Sequence, residues 1–292
     1  MPREEIRIPD RWRALDLTSW TGNVLIVGGS DSGKSTFARH LYARLLEAHP
    51  AVAFLDLDVG QNSFGLPGTV AVARNRPGEG TPFPPRGSRR VCFVGSNTPV
   101  RHLLEMTRAL HRILAGAPAV REVEALVVDT TGFVSASYGG MNLKWTQVEM
   151  LRPCTVVAFQ SGEALRTLLE PLRRLPDVRV VALPVPDAVR RRSSEERRAY
   201  RTRAYRSYFQ GASTLTFDYP TLAVFPEPDF QARQLVGLED REGFVLALAL
   251  VERVEGQQVQ LRTPLGEKQR DAVVALRLGD LRVDRDFNDR QL

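Results

Sequence analysis

This 292-residue chain has few cysteines and histidines and no long apolar run. Cys92 and Cys154 each lie in a short apolar stretch, so we expect two buried, reduced thiols rather than a disulfide. The four histidines show no metal-ligand spacing with cysteine or with one another. No stretch approaches the roughly eighteen apolar residues that span a bilayer, and the N-terminus shows no signal-peptide pattern. These absences favour a cytoplasmic protein that has no membrane contact.

Lysine is also scarce, because only Lys34, Lys144 and Lys268 are lysines among 40 basic residues. The formal net charge is +6, and residues 190–206 alone contain eight arginines against two glutamates. The rest of the chain is therefore close to neutral. A positive charge confined to one segment predicts a local site for anions rather than a generally basic surface.

Short apolar runs alternate with helical patterns across residues 21–213, which predicts a doubly wound, mostly parallel α/β sheet of the P-loop type. Residues 1–20 form a short polar lead-in, and residues 62–87, rich in Gly, Pro and Arg, are interpreted as a loop. Residues 214–292 show several short strand patterns, which predict a small β-rich C-terminal domain. The predicted strands of the sheet are 24–27, 52–55, 91–94, 125–128, 155–159 and 178–183, and the predicted helices are 34–48, 99–114, 142–151 and 163–175.

The most specific motif is G-x-x-x-x-G-K-[ST] at residues 28–35, between a predicted strand and a predicted helix. Its glycines allow backbone N–H groups to surround phosphates at a helix N-terminus, where the helix dipole favours anions. We therefore expect ATP and Mg²⁺ here, with Lys34 bridging the β- and γ-phosphates and Ser35 binding the metal ion. The candidate nucleotide-binding residues are Gly29, Ser30, Asp31, Ser32, Gly33, Lys34, Ser35 and Thr36.

Two carboxylates, Asp56 and Asp58, stand at the end of the second predicted strand. Alternation along an extended chain places both on the same side, with Leu57 turned away. Asp56 is the candidate magnesium ligand, and Asp58, further along the chain, is the candidate general base for an acceptor hydroxyl. In the alternative interpretation, both aspartates only hold metal and cap a turn.

The arginine-rich segment, about residues 187–209, is predicted to contain a helix that Ser193 or Ser194 caps. Such a helix is suited to a lid over the triphosphate, because guanidinium groups neutralise a transferring phosphoryl group. A solvent-exposed helix that is rich in arginine for solubility is the alternative.

Several of these motifs together resemble the polynucleotide 5′-hydroxyl kinases, which include RNA kinases of pre-mRNA 3′-end, tRNA and ribosomal-RNA processing and their archaeal homologues. The resemblance covers roughly residues 22–285. It is carried by D-x-D-x-G-Q at 56–61, G-S-N-T-P at 95–99, D-T-T-G-F at 129–133, and the stretch from Arg192 to Y-F-Q-G at 208–211.

The resemblance implies that Arg192 and Arg197 are lid arginines that act in catalysis with Lys34 and Asp58. It also implies that Gln61 lies near the 5′ end of the nucleic acid and that Thr98 belongs to a clasp for the first phosphates. Arg201 of the arginine-rich segment is a candidate contact to the nucleic-acid backbone. The sequence departs from the family at three positions. Phe133 stands where a tryptophan usually stacks on the terminal base, and Val100 and His102 replace a small residue and an asparagine. Ordinary core packing is the alternative for Phe133.

The sequence thus predicts an ATP- and Mg²⁺-dependent kinase acting on the 5′-hydroxyl end of RNA or DNA. An ATP-bound scaffold of an RNA-processing assembly is one alternative, and a kinase for a nucleoside or sugar is another. The sequence leaves the oligomeric state open, with a monomer as one possibility.

Overall fold

The computed structural model describes residues 8–78, 80–160 and 163–292. The chain forms two compact units, and each is discontinuous in sequence. The Arg-rich segment from Arg192 onward belongs to the same unit as the C-terminal strands. The linear domain boundaries at 20 and 213 stay predictions. The first unit takes its described residues from Met1–Asp58, Val72–Arg89 and Ile113–Arg191, and the second takes them from Val59–Ala71, Arg90–Arg112 and Arg192–Leu292.

One seven-stranded sheet follows the order β4-β3-β2-β5-β1-β6-β7, and the pairs β2–β5, β5–β1, β1–β6 and β6–β7 are all parallel. Its central strands are buried along nearly their whole length, which explains why they read as continuous apolar runs. The predicted P-loop α/β class is confirmed. The strands are β1 Gly22–Gly28, β2 Val52–Asp56, β3 Thr69–Arg74, β4 Arg89–Phe93, β5 Ala125–Asp129, β6 Thr155–Gln160 and β7 Arg179–Pro184.

Helices follow most of these strands, as expected for a doubly wound topology. Helix α2 turns Phe37, Leu41 and Leu45 inward at helical spacing, and all three are completely buried. The helices are α1 Asp10–Arg13, α2 Lys34–Leu45, α3 Leu103–Gly116, α4 Gly140–Leu151, α5 Arg166–Leu172 and α6 Ser194–Tyr208. No described helix has the length and apolar character needed to cross a membrane.

The predicted lead-in contains part of the core of the first unit, although its first seven residues lie outside the described ranges. Trp12 of α1 is 3% exposed and packs edge-on against Phe37 and Phe159, with ring centroids 5.2 and 5.6 Å away. The lead-in therefore covers apolar surface next to helix α2.

Two expectations from the sequence are wrong. Residues 62–87 are not all loop, because Thr69–Arg74 forms strand β3 and is buried at its first five positions. This strand was not predicted because its apolar run is short and the surrounding Gly, Pro and Arg residues are typical of a loop. Cys92 is buried as expected, but Cys154 is exposed. Cys154 immediately precedes β6, and its Sγ donates a hydrogen bond to the carbonyl of Thr21 at 2.7 Å.

The second unit contains a second sheet in the order β14-β13-β10-β11-β12-β8, with β9 paired in parallel to β13. The other pairs are antiparallel, and alternate residues of β12 and β13 are buried. The predicted β-rich part of the chain is confirmed. Its strands are β8 Ser213–Asp218, β9 Ala223–Phe225, β10 Gln234–Glu239, β11 Val245–Glu255, β12 Gln258–Thr263, β13 Ala275–Val283 and β14 Asp289–Gln291.

Candidate active site

The phosphate-loop motif forms the turn between β1 and α2 in the first unit. The backbone turns through positive φ at Asp31 (49°) and Gly33 (90°), which is the conformation that lets successive N–H groups converge. A Cβ on Gly28 would lie 2.7 Å from Ser32 Oγ and 2.9 Å from Phe159 Cβ, so only glycine fits there. The result is an anion-binding turn at the N-terminus of a 12-residue helix.

Lys34, the first residue of α2, points its ammonium group back into this turn. Its Nζ donates to the carbonyl of Gly29 at 2.6 Å, and the residue is only 6% exposed. Ser35 follows in the first helical turn and is half-buried. A cation and a hydroxyl are therefore held beside the converging amides, as phosphate and metal binding require.

Asp56 and Asp58 occupy the end of β2 and the turn that follows. Asp56 is fully buried, and its Oδ1 accepts the backbone N–H of Asp58 at 2.9 Å. Asp58 is half-buried. The backbone N–H of Leu57 donates to the carbonyl of Asp129 at 2.9 Å, which fixes this turn to the end of β5.

Asp129, the last residue of β5, is a further acidic group at this edge of the sheet. The residue is 1% exposed, and among the described residues neither carboxylate oxygen has a partner with hydrogen-bond geometry. Burial raises the pKa of Asp129 to about 6, and the charge of Asp58 acts in the same direction. Lys34 and the hydroxyl of Ser35 lower this pKa, although Ser35 falls short of hydrogen-bond geometry. The only signal in the sequence was its position at a strand end in the D-T-T-G-F motif.

Lys144 on α4 was also not predicted to lie at the site, and the only hint was that lysine is rare in this chain. It is fully buried, and its Nζ donates to the carbonyl of Thr131 at 2.7 Å. Burial lowers the pKa of Lys144 to about 7, and the charge of Lys34 acts in the same direction. Asp58 and Asp129 oppose this shift. A buried lysine therefore shares the electrostatic environment of the phosphate loop and its carboxylates.

The segment after β5 passes directly against the phosphate loop. A Cβ on Gly132 would lie 2.6 Å from the backbone of Ser30, so a glycine is required for this approach. Phe133 follows, and its N–H donates to Thr131 Oγ1 at 3.1 Å. Phe133 is half-buried, so part of this residue is open to solvent.

The structure places the other candidate residues, Gln61, Thr98 and the three arginines, in the second unit. Thr98 is half-buried, and its Oγ1 accepts the N–H of Val100 at 3.3 Å. The imidazole of His102 lies 2.8 Å from the Val100 carbonyl through Nδ1 and 2.8 Å from Asp280 Oδ2 through Nε2. The imidazole of His102 thus connects the turn at residues 98–102 to strand β13.

The predicted helix cap in the Arg-rich segment is confirmed. Ser193 Oγ accepts the N–H of Glu196 at 3.1 Å, and the Glu196 carboxylate accepts the N–H of Ser193 at 2.7 Å, which completes a capping box. Arg192 is exposed and Arg197 is half-buried. Arg201 donates from Nε to Asp289 Oδ2 at 2.7 Å.

Comparisons with known proteins identify the family of this chain and support its fold. Residues 28–211 match the family model described as mRNA cleavage and polyadenylation factor CLP1 P-loop. The chain is 24% identical to a polyribonucleotide 5′-hydroxyl-kinase of Methanocaldococcus jannaschii, over 89% of this chain and 87% of that protein. It is 34% identical to a polyribonucleotide 5′-hydroxyl-kinase of Thermococcus kodakarensis, over 69% of this chain but only 55% of the relative. The structure of a wild-type Clp1p–Pcf11p complex has the same fold, with a TM-score of 0.65 at 18% identity, covering 94% of this chain and 76% of that chain.

Proposed function

Because this chain belongs to the CLP1 P-loop family of mRNA cleavage and polyadenylation factors, we propose that it is a polynucleotide 5′-hydroxyl kinase. It transfers the γ-phosphate of ATP to the 5′-hydroxyl end of RNA, DNA or both. One observation carries the proposal: a phosphate loop with a buried lysine lies beside two strand ends that supply three aspartates, one of them half-buried. The relatives that are named polyribonucleotide 5′-hydroxyl-kinases support RNA as the acceptor.

ATP is held by residues 29–36, with Lys34 at the β- and γ-phosphates. The surrounding oxygen groups fit Mg²⁺, because Asp129 is a buried carboxylate without a hydrogen bond among the described residues and Asp56 and Ser35 add two oxygen donors. Bound Mg²⁺ would neutralise charge that develops on the phosphates. The described residues contain no group of three or more His, Cys, Asp or Glu side chains able to hold a metal ion.

Asp58 serves as the general base for the 5′-hydroxyl. It comes two residues beyond Asp56, and the hydrogen bond from its backbone N–H to Asp56 fixes the turn that carries it. Its partial exposure allows an acceptor to approach, whereas Asp56 and Asp129 are enclosed.

The proposed nucleic-acid contacts are Gln61, Thr98, Phe133 and Arg201. Two further arginines, Arg192 and Arg197, are proposed to neutralise the transferring phosphoryl group. The capping box supports this role for the arginines, because it fixes the start of α6 next to Arg192 and within one turn of Arg197. The partial exposure of Phe133 supports stacking of its ring on a terminal base, an interaction worth about 1–3 kcal/mol.

The test uses γ-labelled ATP with RNA and DNA oligomers of one sequence that carry a 5′-hydroxyl or, as a control, a 5′-phosphate. Label should move only to the 5′-hydroxyl oligomers. Asp58→Asn should slow transfer by about a hundredfold or more and leave ATP binding intact, because general-base catalysis is lost. The exposed Asp177→Asn is the matched control in the same unit. ATP binding without any transfer would refute the proposal in favour of a scaffold, and labelled free nucleosides would favour a small-molecule kinase.

A further inference from the structure

The C-terminal strand β14 brings a buried carboxylate to two segments that are far away along the chain. The side chain of Asp289 is completely buried, and its Oδ2 accepts from Arg201 Nε at 2.7 Å. The same Oδ2 also accepts from Asn97 Nδ2. Two donors that share one oxygen lie within two hydrogen-bond lengths of each other. Asp289 therefore sets the spacing between the arginine-rich helix α6 and the segment that ends in Thr98.

Further hydrogen bonds join β14 and the residues before it to helix α6 and to the 96–98 segment. Towards the helix, Thr202 Oγ1 donates to Asn288 Oδ1 at 3.1 Å, and Arg206 donates to the Asp286 carbonyl at 3.2 Å. Towards the other segment, Gln291 Nε2 donates to Ser96 Oγ at 3.5 Å. Ser96 Oγ in turn accepts the backbone N–H of Thr98 at 3.3 Å. Residues 286–291 thus contact α6 and the 96–98 segment at the same time.

A buried ion pair is a poor way to stabilise a fold, because desolvation offsets most of the attraction between the charges. The Asp289 pair is also incompletely satisfied, since among the described residues Oδ1 is buried without a hydrogen-bond partner. Replacing both partners of such a pair by apolar residues of similar volume often leaves stability unchanged or increases it. The geometric effect of the carboxylate, which is to orient two polar side chains, is the property that an apolar residue cannot replace.

We propose that Asp289 is a positioning residue for the nucleic-acid substrate, which holds Arg201 and the Asn97–Thr98 segment in the arrangement that receives the strand next to its 5′ end. This inference rests on the proposed function, in which Arg201 and Thr98 bind nucleic acid. Arg201 keeps its two terminal guanidinium nitrogens for a phosphate, because the pair with Asp289 uses only Nε. Asp289 orients that side chain without touching the reacting atoms.

The second unit offers a closely matched control. Glu239 on β10 is 2% exposed and pairs with Arg277 Nε at 2.9 Å, and Arg277 is 19% exposed. Arg201 is 16% exposed in its pair with Asp289. Asp289 and Glu239 are both buried carboxylates that bind an arginine through Nε, but among the described residues the Glu239 side chain makes no hydrogen bond to Asn97, Thr98 or α6. If ion pairs of this kind only stabilise the fold, Asp289→Asn and Glu239→Gln should have the same consequences.

The experiment measures steady-state transfer and the equilibrium binding of a fluorescent 5′-hydroxyl RNA oligomer for both variants. Asp289→Asn should raise the KM and the Kd for the oligomer by about tenfold, because interactions within one polar network couple strongly. The KM for ATP should stay within about twofold, and Glu239→Gln should leave all of these values unchanged. Equal effects of the two variants, or an unchanged Kd for Asp289→Asn, would overturn the proposal.

A second set of variants keeps the test valid if Asp289→Asn does not fold. Asn97→Ala and Arg201→Gln, alone and combined, form a double-mutant cycle across the shared carboxylate. Non-additive effects on the Kd for the oligomer are expected, and strictly additive effects would refute the positioning role. Because the Kd is measured without phosphate transfer, a protein that binds RNA but shows no kinase activity would contradict the proposed function and still test Asp289.

Discussion

The buried ammonium group of Lys144 should make the stability of the first unit depend on pH. Burial lowers its pKa from the 10.5 of an unperturbed lysine to about 7. Between these two values the unfolded chain binds more protons at this position than the folded chain does. The free energy of unfolding therefore rises with pH across this window, and the stabilisation is lost as the pH falls through 7.

The size of the effect follows from the two pKa values. Full protonation in the unfolded state and none in the folded state gives a slope of about 1.4 kcal/mol per pH unit. Lys144 is about half protonated at pH 7 in the folded state, so the gain between pH 7 and pH 9 is about 2 kcal/mol. Asp129 does not interfere, because its raised pKa of about 6 places its own effect below this window and gives it the opposite sign.

The assay is urea unfolding of wild type and Lys144→Met, without nucleotide or divalent cation, at several pH values from 7 to 9. Tryptophan fluorescence reports on the first unit alone, because Trp12, Trp20 and Trp145 all belong to it. Methionine keeps most of the side-chain volume but cannot bind a proton. The difference in unfolding free energy between wild type and variant should shift in favour of wild type by about 2 kcal/mol over this range.

The exposed Lys268→Met provides the control, and its curve should run parallel to that of wild type. Parallel curves for wild type and Lys144→Met would refute the reasoning. They would mean that the Lys144 ammonium group is not desolvated, or that the unfolded state perturbs it equally.

Two further predictions concern the backbone around the site. Gly132→Ala should lower ATP affinity about tenfold, because its Cβ would press on the backbone of Ser30 and overpacking of this kind costs about 1–3 kcal/mol. The measurement is isothermal titration of ATP, and the control is Gly266→Ala, whose Cβ would make only an ordinary contact of 3.6 Å with Gln269 Oε1. Unchanged affinity would show that the phosphate loop yields without cost. Ser193→Ala should destabilise the start of α6 by about 1 kcal/mol, because the helix loses its N-terminal cap. The readout is faster amide hydrogen exchange in the first turn of α6. Ser207→Ala, on the exposed surface of the same helix, should leave this exchange unchanged. Equal exchange in both variants would contradict the role of the cap.

Features that depend on neighbouring residues were the ones that the sequence predicted well. The phosphate loop is defined by glycines and a lysine within nine residues, and the cap of α6 by Ser193 and a glutamate three positions later. The apolar runs of the central strands were equally clear, because a parallel sheet buries both of its faces. Strand β3 was missed because Thr69–Arg74 is short and stands among turn-forming residues.

The parts of the site that could not be predicted depend on contacts between distant segments. Lys144 donates to a carbonyl that lies 13 positions away and outside α4. Helical periodicity alone identifies Lys144 only as one more residue of that helix. Asp289 lies 88 positions from Arg201 and 192 from Asn97, and nothing local distinguishes it from other acidic residues near the C-terminus. Cys154 was misjudged for a related reason, because an apolar neighbourhood in sequence does not bury the residue just before a strand.

The burial of two of the three lysines also has a practical consequence for handling this protein. Lys34 and Lys144 are shielded from bulk solvent, whereas Lys268 is exposed. Amine-reactive dyes and activated resins attack accessible, unprotonated amines, so among lysine side chains they should modify Lys268 almost exclusively. The molecule can then be tethered or labelled at one defined side chain without chemical damage to the loop that receives the triphosphate.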